Sequence, residues 1–463
     1  MSLFESFHDA IGYLFQSYNQ AQPYRLGHYD KETRTPQFTR KLLDSVGAPD
    51  RDQHNIKVTG SKGKGSTSRL IARLLEAQGL KVGLFTSPHL VDFTERIRIN
   101  GAAIAEDEWL KWQVYLYPWI ESIQGAMNPR EYFGPVGLVA CVAALYFKDQ
   151  GTDVNVFELG RGARFDDVNQ LAGEFAVITP IQLEHRELLG PELKDIAWNK
   201  AAIIESGMKA AVTAKQGEIA LAELEKEAER QAVRLYALER DFSLGKVEVR
   251  LDGTLLDLMT KRARYRQIEV PLLGRNQAEN ASVAIVAVEE WMGQALDERL
   301  VKSAFKCMTW PGRLQHLKRT PQVIIDGAIN RDSAAYLREV VKLFPFIKKV
   351  LVVGVPVDKD GFGVICEMAP EVEEIWVTQA QNPHLVFDLR ELENAAHELV
   401  PTNVCGDLAD ALRAAEVSAG DAGLVIVAGT QSLVAEALQY YQVSTRDLQI
   451  VNSDTSITEP PHS

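Results

Sequence analysis

The sequence predicts two α/β domains, each built on a mostly parallel sheet that is covered by helices. One observation is the alternation of short apolar runs with helical patterns from Ile56 onwards, which is typical of such sheets. Another is the turn Trp310-Pro311-Gly312-Arg313, after which a second series of apolar runs begins near Val323. The last is a glycine-rich turn, residues 60–67, between the first apolar run and a helical pattern, which indicates a phosphate-binding loop in the first domain.

The apolar runs locate the predicted strands and helices. We predict strands over 56–59, 82–86, 154–158, 176–179 and 210–213 in the first domain, and over 323–326, 350–354, 374–377 and 424–428 in the second. Helical patterns cover 3–20, 70–75, 136–147, 197–204 and 333–343, and residues 22–30 are predicted to form a mostly polar loop. The predicted domains are 1–311 and 312–445, followed by a polar tail over 446–463 that we expect to be disordered.

Composition and charge exclude several classes of function. The chain has 463 residues, of which 46% are hydrophobic and 24% charged, as in soluble globular proteins with more than one core. Its net charge of -13 argues against nucleic-acid or anionic-membrane binding, although a local basic pocket remains compatible with it. The sequence shows no signal-peptide pattern, no apolar run as long as a membrane span and no close-spaced pair among its four cysteines. We therefore expect a cytoplasmic protein with reduced thiols.

The turn at residues 60–67 carries the strongest single signal. Its glycines allow backbone N–H groups to approach phosphate oxygens, and the N-terminus of the following helix adds a favourable field. Lys64 is expected on the terminal phosphates, and Ser66 or Thr67 near a magnesium ion. The spacing departs from the common GxxxxGK[ST] pattern, because Val58 and Gly65 stand where that pattern has a glycine and a hydroxyl. The predicted nucleotide-binding residues of this turn are Gly60, Ser61, Lys62, Gly63, Lys64, Gly65, Ser66 and Thr67.

Further segments follow this turn in a characteristic order. They are Thr86-Ser87-Pro88-His89-Leu90, Phe93-Thr94-Glu95-Arg96-Ile97, Glu158-Leu159-Gly160-Arg161-Gly162, Leu183-Glu184-His185, Asn199-Lys200-Ala201-Ala202, Leu273-Gly274-Arg275-Asn276-Gln277-Ala278-Glu279-Asn280, Pro311-Gly312-Arg313, Asp326-Gly327-Ala328 and Asp358-Lys359-Asp360. With the glycine-rich turn, they make the chain resemble the folylpolyglutamate synthase and dihydrofolate synthase branch of the Mur ligase superfamily. The resemblance implies a Mur-ligase-like P-loop ATPase domain, a smaller Rossmann-like α/β domain, and ATP in the cleft between them.

The resemblance also implies a chemistry. Members of the family use ATP to convert a carboxylic acid into an acyl phosphate, which an amine then attacks. By this resemblance Lys64, His185 and Lys200 would be catalytic, and Ser87, Glu158 and His185 would hold Mg²⁺. Oxygen ligands suit that ion, and Glu158 ends an apolar strand, where ligands gather in open α/β sheets. Lys64 and the metal would neutralise the charge of a carboxylate approaching a triphosphate.

The remaining expected site residues also rest on the resemblance. Lys200 matches a lysine that is often carbamylated in this family, and Asn280 would contact the adenine. Arg313 would reach the phosphates across the cleft, a task that suits a guanidinium. Asp326 would contact the ribose or the hinge. Each residue also has a plainer alternative. Lys200 could be an exposed lysine and Asn280 a helix-surface amide. Arg313 could form an ion pair in the linker, and Asp326 could cap a helix.

Departures from the family pattern concern the acceptor side. Ile329 and Arg331 stand where the family usually has histidine and proline, and Asn276 also replaces a histidine. Ile329 can neither carry charge nor donate a side-chain hydrogen bond. Three hypotheses follow: a folate-type ligase that adds glutamate, a ligase with the same activation chemistry but other substrates, and a non-catalytic ATP-binding protein. The expected partners are a small acid and a small amine, and the expected state is a monomer.

Overall fold

The computed structural model describes residues 3–250, 252–306, 308–345 and 348–448. The helices are α1 (Phe7–Gln20), α2 (Gln22–Arg25), α3 (Asp30–Thr33), α4 (Gln37–Ser45), α5 (Lys64–Ala77), α6 (Glu106–Gln124), α7 (Pro135–Gln150), α8 (Arg186–Leu189), α9 (Leu193–Ala201), α10 (Glu218–Gln231), α11 (Arg275–Met292), α12 (Glu298–Lys306), α13 (Arg331–Val341), α14 (Gly361–Met368), α15 (Leu389–His397), α16 (Leu408–Ala419) and α17 (Gln431–Tyr440).

The strands confirm the predicted α/β class. They are β1 (Asn55–Thr59), β2 (Val82–Phe85), β3 (Ile97–Ile99), β4 (Ala102–Ala103), β5 (Val154–Glu158), β6 (Phe175–Ile178), β7 (Ala210–Thr213), β8 (Leu235–Ala237), β9 (Ser243–Arg250), β10 (Gly253–Met259), β11 (Arg264–Val270), β12 (Gln315–Arg319), β13 (Gln322–Asp326), β14 (Lys349–Gly354), β15 (Glu374–Val377), β16 (Thr402–Val404) and β17 (Leu424–Gly429).

The first sheet has the order β4-β3-β2-β5-β1-β6-β7-β8 and is parallel from β2 to β8. Its two faces carry separate apolar cores, one formed with α7 and the other with α5 and α11. In the central pair, Val58 of β1 lies beside Glu158, the last residue of β5. The loop after β1 and the end of β5 therefore meet at the carboxyl edge of the sheet, where ligands bind in open α/β sheets.

The second large sheet has the order β12-β13-β17-β14-β15-β16 and is parallel except for the hairpin β12–β13. The chain passes from α12 to β12 through a segment that includes the predicted boundary at 311/312. Strand β13 ends at Asp326, and β17 lies beside it in parallel. The carboxyl edge of this sheet thus presents the Asp326-Gly327-Ala328 segment singled out in the sequence.

The structure corrects several expectations about local structure. Residues 22–30 are not simply a loop, because α2 lies within them and α3 begins at Asp30. A three-stranded antiparallel sheet, β11-β10-β9, was not predicted. Residues 446–448 belong to the predicted disordered tail, yet Leu448 is buried and Asp447 pairs with Ala102 beside the first sheet. The rest of that tail, residues 449–463, lies outside the described residues.

Within the described ranges, no helix combines the length and the apolar character needed to cross a membrane.

Candidate nucleotide and metal site

The phosphate loop connects the buried strand β1 to the N-terminus of α5. Gly60 and Gly63 have φ angles of +141° and +84°, so both adopt backbone conformations that side chains disfavour. Helix α5 has no side-chain cap, which leaves the N–H groups of its first turn directed towards the space above the loop. Thr67 is fully buried, and its hydroxyl has no hydrogen-bond partner among the described residues. The loop thus has the features of an anion cradle.

We expect Gly60→Ala to disrupt this loop. A Cβ at Gly60 would lie 2.0 Å from Oγ1 and 2.8 Å from the carbonyl oxygen of Thr179, and the second contact is with backbone that cannot rotate away. The free energy of unfolding should fall by about 2 kcal/mol or more. Denaturant titration measures this change. Gly217→Ala is the matched control, because a Cβ there meets nothing within 4 Å. Equal stability of the two variants would contradict the close packing of Gly60.

Glu158 is the buried carboxylate of the site. One of its oxygens accepts a hydrogen bond from the backbone N–H of Ser87 at 3.2 Å. A Cβ on Gly65 would lie 3.5 Å from the same oxygen, which places Glu158 beside the first turn of α5. Burial raises the pKa of Glu158 to about 7, against the opposing effect of Lys64, the Ser87 N–H, Arg313 and Arg96. The carboxylate is therefore surrounded by cations from several elements.

Two lysines share the carbonyl oxygen of Gly60. Lys64 Nζ donates to it at 3.0 Å and Lys200 Nζ at 2.8 Å. Lys200 is fully buried, donates also to the carbonyl of Arg161 at 2.6 Å, and lies 3.1 Å from a carboxylate oxygen of Glu184. Burial and the neighbouring Lys64 lower the pKa of Lys200 to about 8. Lys200 is thus directed into the site and is not the exposed helix lysine of the plainer alternative.

His185 lies next to this group on the Glu184 side. It is the residue before α8 and has a φ of +48°, which is uncommon for a non-glycine residue. The residue is exposed, yet partial desolvation, together with Arg161 and Lys200, lowers the pKa of its ring despite Glu184. The structure records no contact between His185 and Glu158 or Ser87. Among the described residues there is also no group of three or more His, Cys, Asp or Glu side chains that could hold a metal ion.

Residues of the second domain complete the cleft. The Arg313 guanidinium packs against Gly327, just after the end of β13. Its Nη1 atom lies only 2.3 Å from the position that a Cβ on Gly327 would take. Asp326 accepts the backbone N–H of Leu314 at 3.2 Å. Burial raises the pKa of Asp326, against the opposing effect of Arg313, backbone N–H groups and Lys62 of the phosphate loop. Lys62 of the first domain therefore acts electrostatically on Asp326 of the second.

Asn280 lies directly against the phosphate loop. It is buried on α11 and donates to Gln277, one turn earlier, at 3.0 Å. A Cβ on Gly63 would lie 2.5 Å from Asn280 Oδ1. The amide pair is therefore part of the site and not a helix-surface feature.

The divergent segment 329–331 has a local structural role. Asn330 caps α13 by accepting the Ser333 N–H at 2.9 Å, and the Ser333 hydroxyl accepts the N–H groups of Ile329 and Asn330 at 3.1 Å each. The Arg331 N–H donates to Asp360 at 3.1 Å, while its side chain is exposed. The capping function needs neither histidine nor proline at these positions.

Sequence reasoning missed several residues of the site. Arg96 donates to His89 Nδ1 at 3.0 Å, lies over the Phe93 ring and acts electrostatically on Glu158. Trp310 lies 3.2 Å from the position of a Cβ on Gly65. Both residues lie in segments that the sequence analysis had singled out. Their own residue types do not indicate a place in the site, which only the three-dimensional contacts reveal.

The donor set fits a small hard cation. Glu158 contributes a buried carboxylate and Ser87 a hydroxyl, and both lie beside the phosphate loop, where substrate phosphates would supply further oxygens. Magnesium keeps several waters and needs few protein ligands, so a site without a three-residue acidic cluster suits it. The residues that would hold it are Glu158 and Ser87, whereas a role for His185 stays a prediction from the sequence.

Comparison with known families gives a consistent result. Residues 58–288 match the Mur ligase middle domain, and residues 312–431 match the Mur ligase glutamate ligase domain. The dihydrofolate synthase/folylpolyglutamate synthase of Bacillus subtilis is 33% identical over 311 residues, which cover 65% of this chain and 71% of the relative. The corresponding Mycobacterium tuberculosis protein is 32% identical over 385 residues, covering 79% of each chain.

Solved structures agree with the sequence relatives. Folylpolyglutamate synthase of Mycobacterium tuberculosis, complexed with ADP and AMPPCP, superimposes with a TM-score of 0.82 at 28% identity, covering 93% of this chain and 99% of that one. A folylpolyglutamate synthase complex with AMPPCP and folate gives a TM-score of 0.75 at 25% identity, covering 91% and 98%. The chain therefore belongs to the dihydrofolate synthase/folylpolyglutamate synthase family of Mur ligases, which are ATP-dependent amide ligases.

Proposed function

We propose that this enzyme transfers the terminal phosphoryl group of ATP to a folate-type carboxylic acid and then joins the acid to the amino group of glutamate. The observation that carries the proposal is the position of Lys64 and Glu158 at the N-terminal turn of α5, with Arg313 of the second domain acting electrostatically on Glu158. Relatives with the same architecture are named for this reaction, and one was solved with both AMPPCP and folate.

The chain's own residues account for the first step. The glycine-rich loop and the free N–H groups of α5 bind the phosphates, and Lys64 and Arg313 supply the positive charge that the transferring phosphoryl group requires. Bound Mg²⁺ would add charge neutralisation and orientation of the phosphates. The acid's carboxylate oxygen attacks the terminal phosphorus, the bond to the bridging oxygen breaks, and ADP leaves.

The second step needs a dry cleft. The amine attacks the acyl carbon, loses a proton, and inorganic phosphate leaves with the bonding electron pair. An acyl phosphate is lost if water reaches it first, so closure of the second domain over the loop protects the intermediate. Arg313 lies in the linker between the domains, and Asp326 is the last residue of β13. Both are suited to contact the nucleotide during that closure.

Carbamylation of Lys200 is a separate part of the proposal. A pKa near 8 leaves a neutral fraction of the amine at physiological pH, which reaction with carbon dioxide requires. The modification would have to release the contacts of the ammonium with Gly60, Arg161 and Glu184. Trapping the carbamate chemically under carbon dioxide and locating it by mass spectrometry tests it, and an unmodified Lys200 at saturating bicarbonate would exclude it.

A second candidate keeps the chemistry but changes the substrates. It is favoured by Ile329, which offers no charge or donor where the family usually has histidine, and by the exposed Arg331 beside it. In this alternative the acid and amine come from another biosynthetic route. A cytoplasmic location and a monomeric state remain predictions from the sequence.

The deciding experiment measures phosphate release from ATP and magnesium with glutamate plus either dihydropteroate or tetrahydrofolate, with products identified by mass. A new glutamyl amide is the expected result. ATP binding without any amide over both acids would overturn the folate assignment and favour the second candidate. A screen of metabolite extracts would then identify the acid and the amine.

Ile329→His tests the acceptor side directly. If position 329 contributes to amine recognition, the variant should use glutamate with a higher kcat/KM, by about tenfold. Initial rates at several glutamate concentrations measure the change. Leu343→His, at an exposed position beyond the end of α13, is the control. An unchanged glutamate kcat/KM in Ile329→His would remove this residue from the list of acceptor determinants.

A further inference from the structure

We propose that residues 443–448, which we call the C-terminal strap, position the nucleotide site by joining the second domain back onto the first. Val443 packs on the second-domain core just after α17, whereas residues 445–448 bind the first domain. The strap is thus a connection between the domains that is separate from the linker before β12. It contacts the loop 87–96 and helix α5, the two elements that lie on either side of Glu158.

The first contact is made through Glu95. The Thr445 hydroxyl donates to Glu95 Oε1 at 2.5 Å. The same buried carboxylate accepts the backbone N–H groups of Leu90, Val91 and Asp92 at 3.1, 3.0 and 2.7 Å. Glu95 therefore holds the loop that begins at Ser87 in its folded path. Thr445 adds a hydrogen bond to a charged acceptor, which is stronger than one between neutral groups.

The second set of contacts compensates two buried arginines. Arg98 donates to the carbonyls of Thr445 at 2.7 Å and Arg446 at 2.9 Å, and Arg69 of α5 donates to the carbonyl of Leu448 at 3.3 Å. Both guanidiniums are almost fully buried, and burial lowers the pKa of each to about 10. Arg69 also pairs with Glu76 at 3.2 Å, and Arg98 also donates to the carbonyl of Gly101 at 3.2 Å. Because a buried cation that loses part of its acceptors is costly, the carbonyls of the strap add to the stability of α5 in this position.

The strap also binds the linker and the surface. The Thr309 hydroxyl donates to the Leu448 carbonyl at 3.2 Å, Arg446 pairs with Asp92 at 2.8 Å, and the Ala103 N–H donates to the Arg446 carbonyl at 2.8 Å. In addition, Leu90 and Val91 pack against the core of the second domain. A displacement of the second domain is therefore transmitted to the loop of Ser87 by two routes, through apolar packing and through the strap.

A pair of variants at Thr445 tests the positioning role. Thr445→Val removes the hydroxyl at nearly constant volume, whereas Thr445→Ser retains it. We expect Thr445→Val to accelerate hydrogen exchange at the amides of Leu90, Val91 and Asp92. We also expect it to weaken binding of magnesium AMPPCP by about tenfold. Thr445→Ser should keep the exchange rates and the affinity of the wild type. Unchanged exchange and unchanged affinity in Thr445→Val would overturn the proposal.

Two truncations provide an independent comparison. A chain that ends after Leu448 keeps the strap and should bind magnesium AMPPCP like the full chain, whereas a chain that ends after Ser444 should bind it more weakly. If the shorter chain does not fold, the Thr445 pair decides alone. Equal affinity of two folded truncations would overturn the strap's role. Absence of nucleotide binding by the full chain would instead contradict the proposed function, and amide exchange would still test the strap.

Discussion

Lys64→Ala is expected to reduce turnover by about a thousandfold or more, with the fold intact. Lys64 is the first residue of α5 after the phosphate loop, and its ammonium is held 3.0 Å from the carbonyl of Gly60. The transferring phosphoryl group would lose a cation that the protein supplies. The rate of ADP formation at saturating ATP and magnesium measures the loss.

The control for this variant is a lysine that lies on a helix away from the phosphate loop. Lys302 lies on α12 and pairs with Glu298, four residues earlier. Lys302→Ala should leave the rate of ADP formation within about twofold of the wild type, because an exposed ion pair of this kind contributes little. A Lys64→Ala enzyme that keeps its activity within about tenfold of the wild type would show that this ammonium has no part in phosphoryl transfer.

Glu158→Gln should have the second largest effect. The substitution keeps the shape of the side chain but removes the negative charge beside the Ser87 N–H and the phosphate loop. If Glu158 holds Mg²⁺, the magnesium concentration for half-maximal activity should rise by tenfold or more, on the order of what loss of metal-site partners costs. Titration of activity with magnesium at fixed ATP measures it.

Glu289 offers a matched control for Glu158. It is also a buried glutamate whose pKa is raised by burial, but it lies on α11 and accepts the hydroxyl of Tyr265 at 2.6 Å in the core. Glu289→Gln should change stability and leave the magnesium dependence unaltered. An unaltered magnesium dependence in Glu158→Gln would exclude this carboxylate as a ligand.

The sequence predicted those parts of the fold whose signals are local. Strands β5, β7 and β15 begin and end where their apolar runs do, because a strand of a parallel sheet that is covered by helices is mostly apolar. The phosphate loop was predictable because glycines, a lysine and a helical pattern follow each other directly. The position of Glu158 followed from the rule that ligands gather where such strands end.

Other features depend on contacts between distant parts of the chain. Helix α3 was not predicted within its polar surroundings, and it is held by Asp30, which binds Arg161 of the loop after β5 in a bidentate pair. The contact of Asn280 with Gly63 joins residues on separate elements, so no periodicity reveals it. Residues 446–448 of the strap were assigned to the tail because the backbone carbonyls of this segment are held by hydrogen bonds to arginines elsewhere in the chain and not by an apolar pattern.

The C-terminal strap has a geometric consequence for the motion of the enzyme. A body attached to its neighbour by one flexible chain can turn in any direction, whereas a body attached at two separate points turns only about the line that joins them. Here the points are the segment around Arg313 and the segment around Thr445. We therefore expect the proposed opening and closing of the cleft to follow a single arc about the line that joins these two segments.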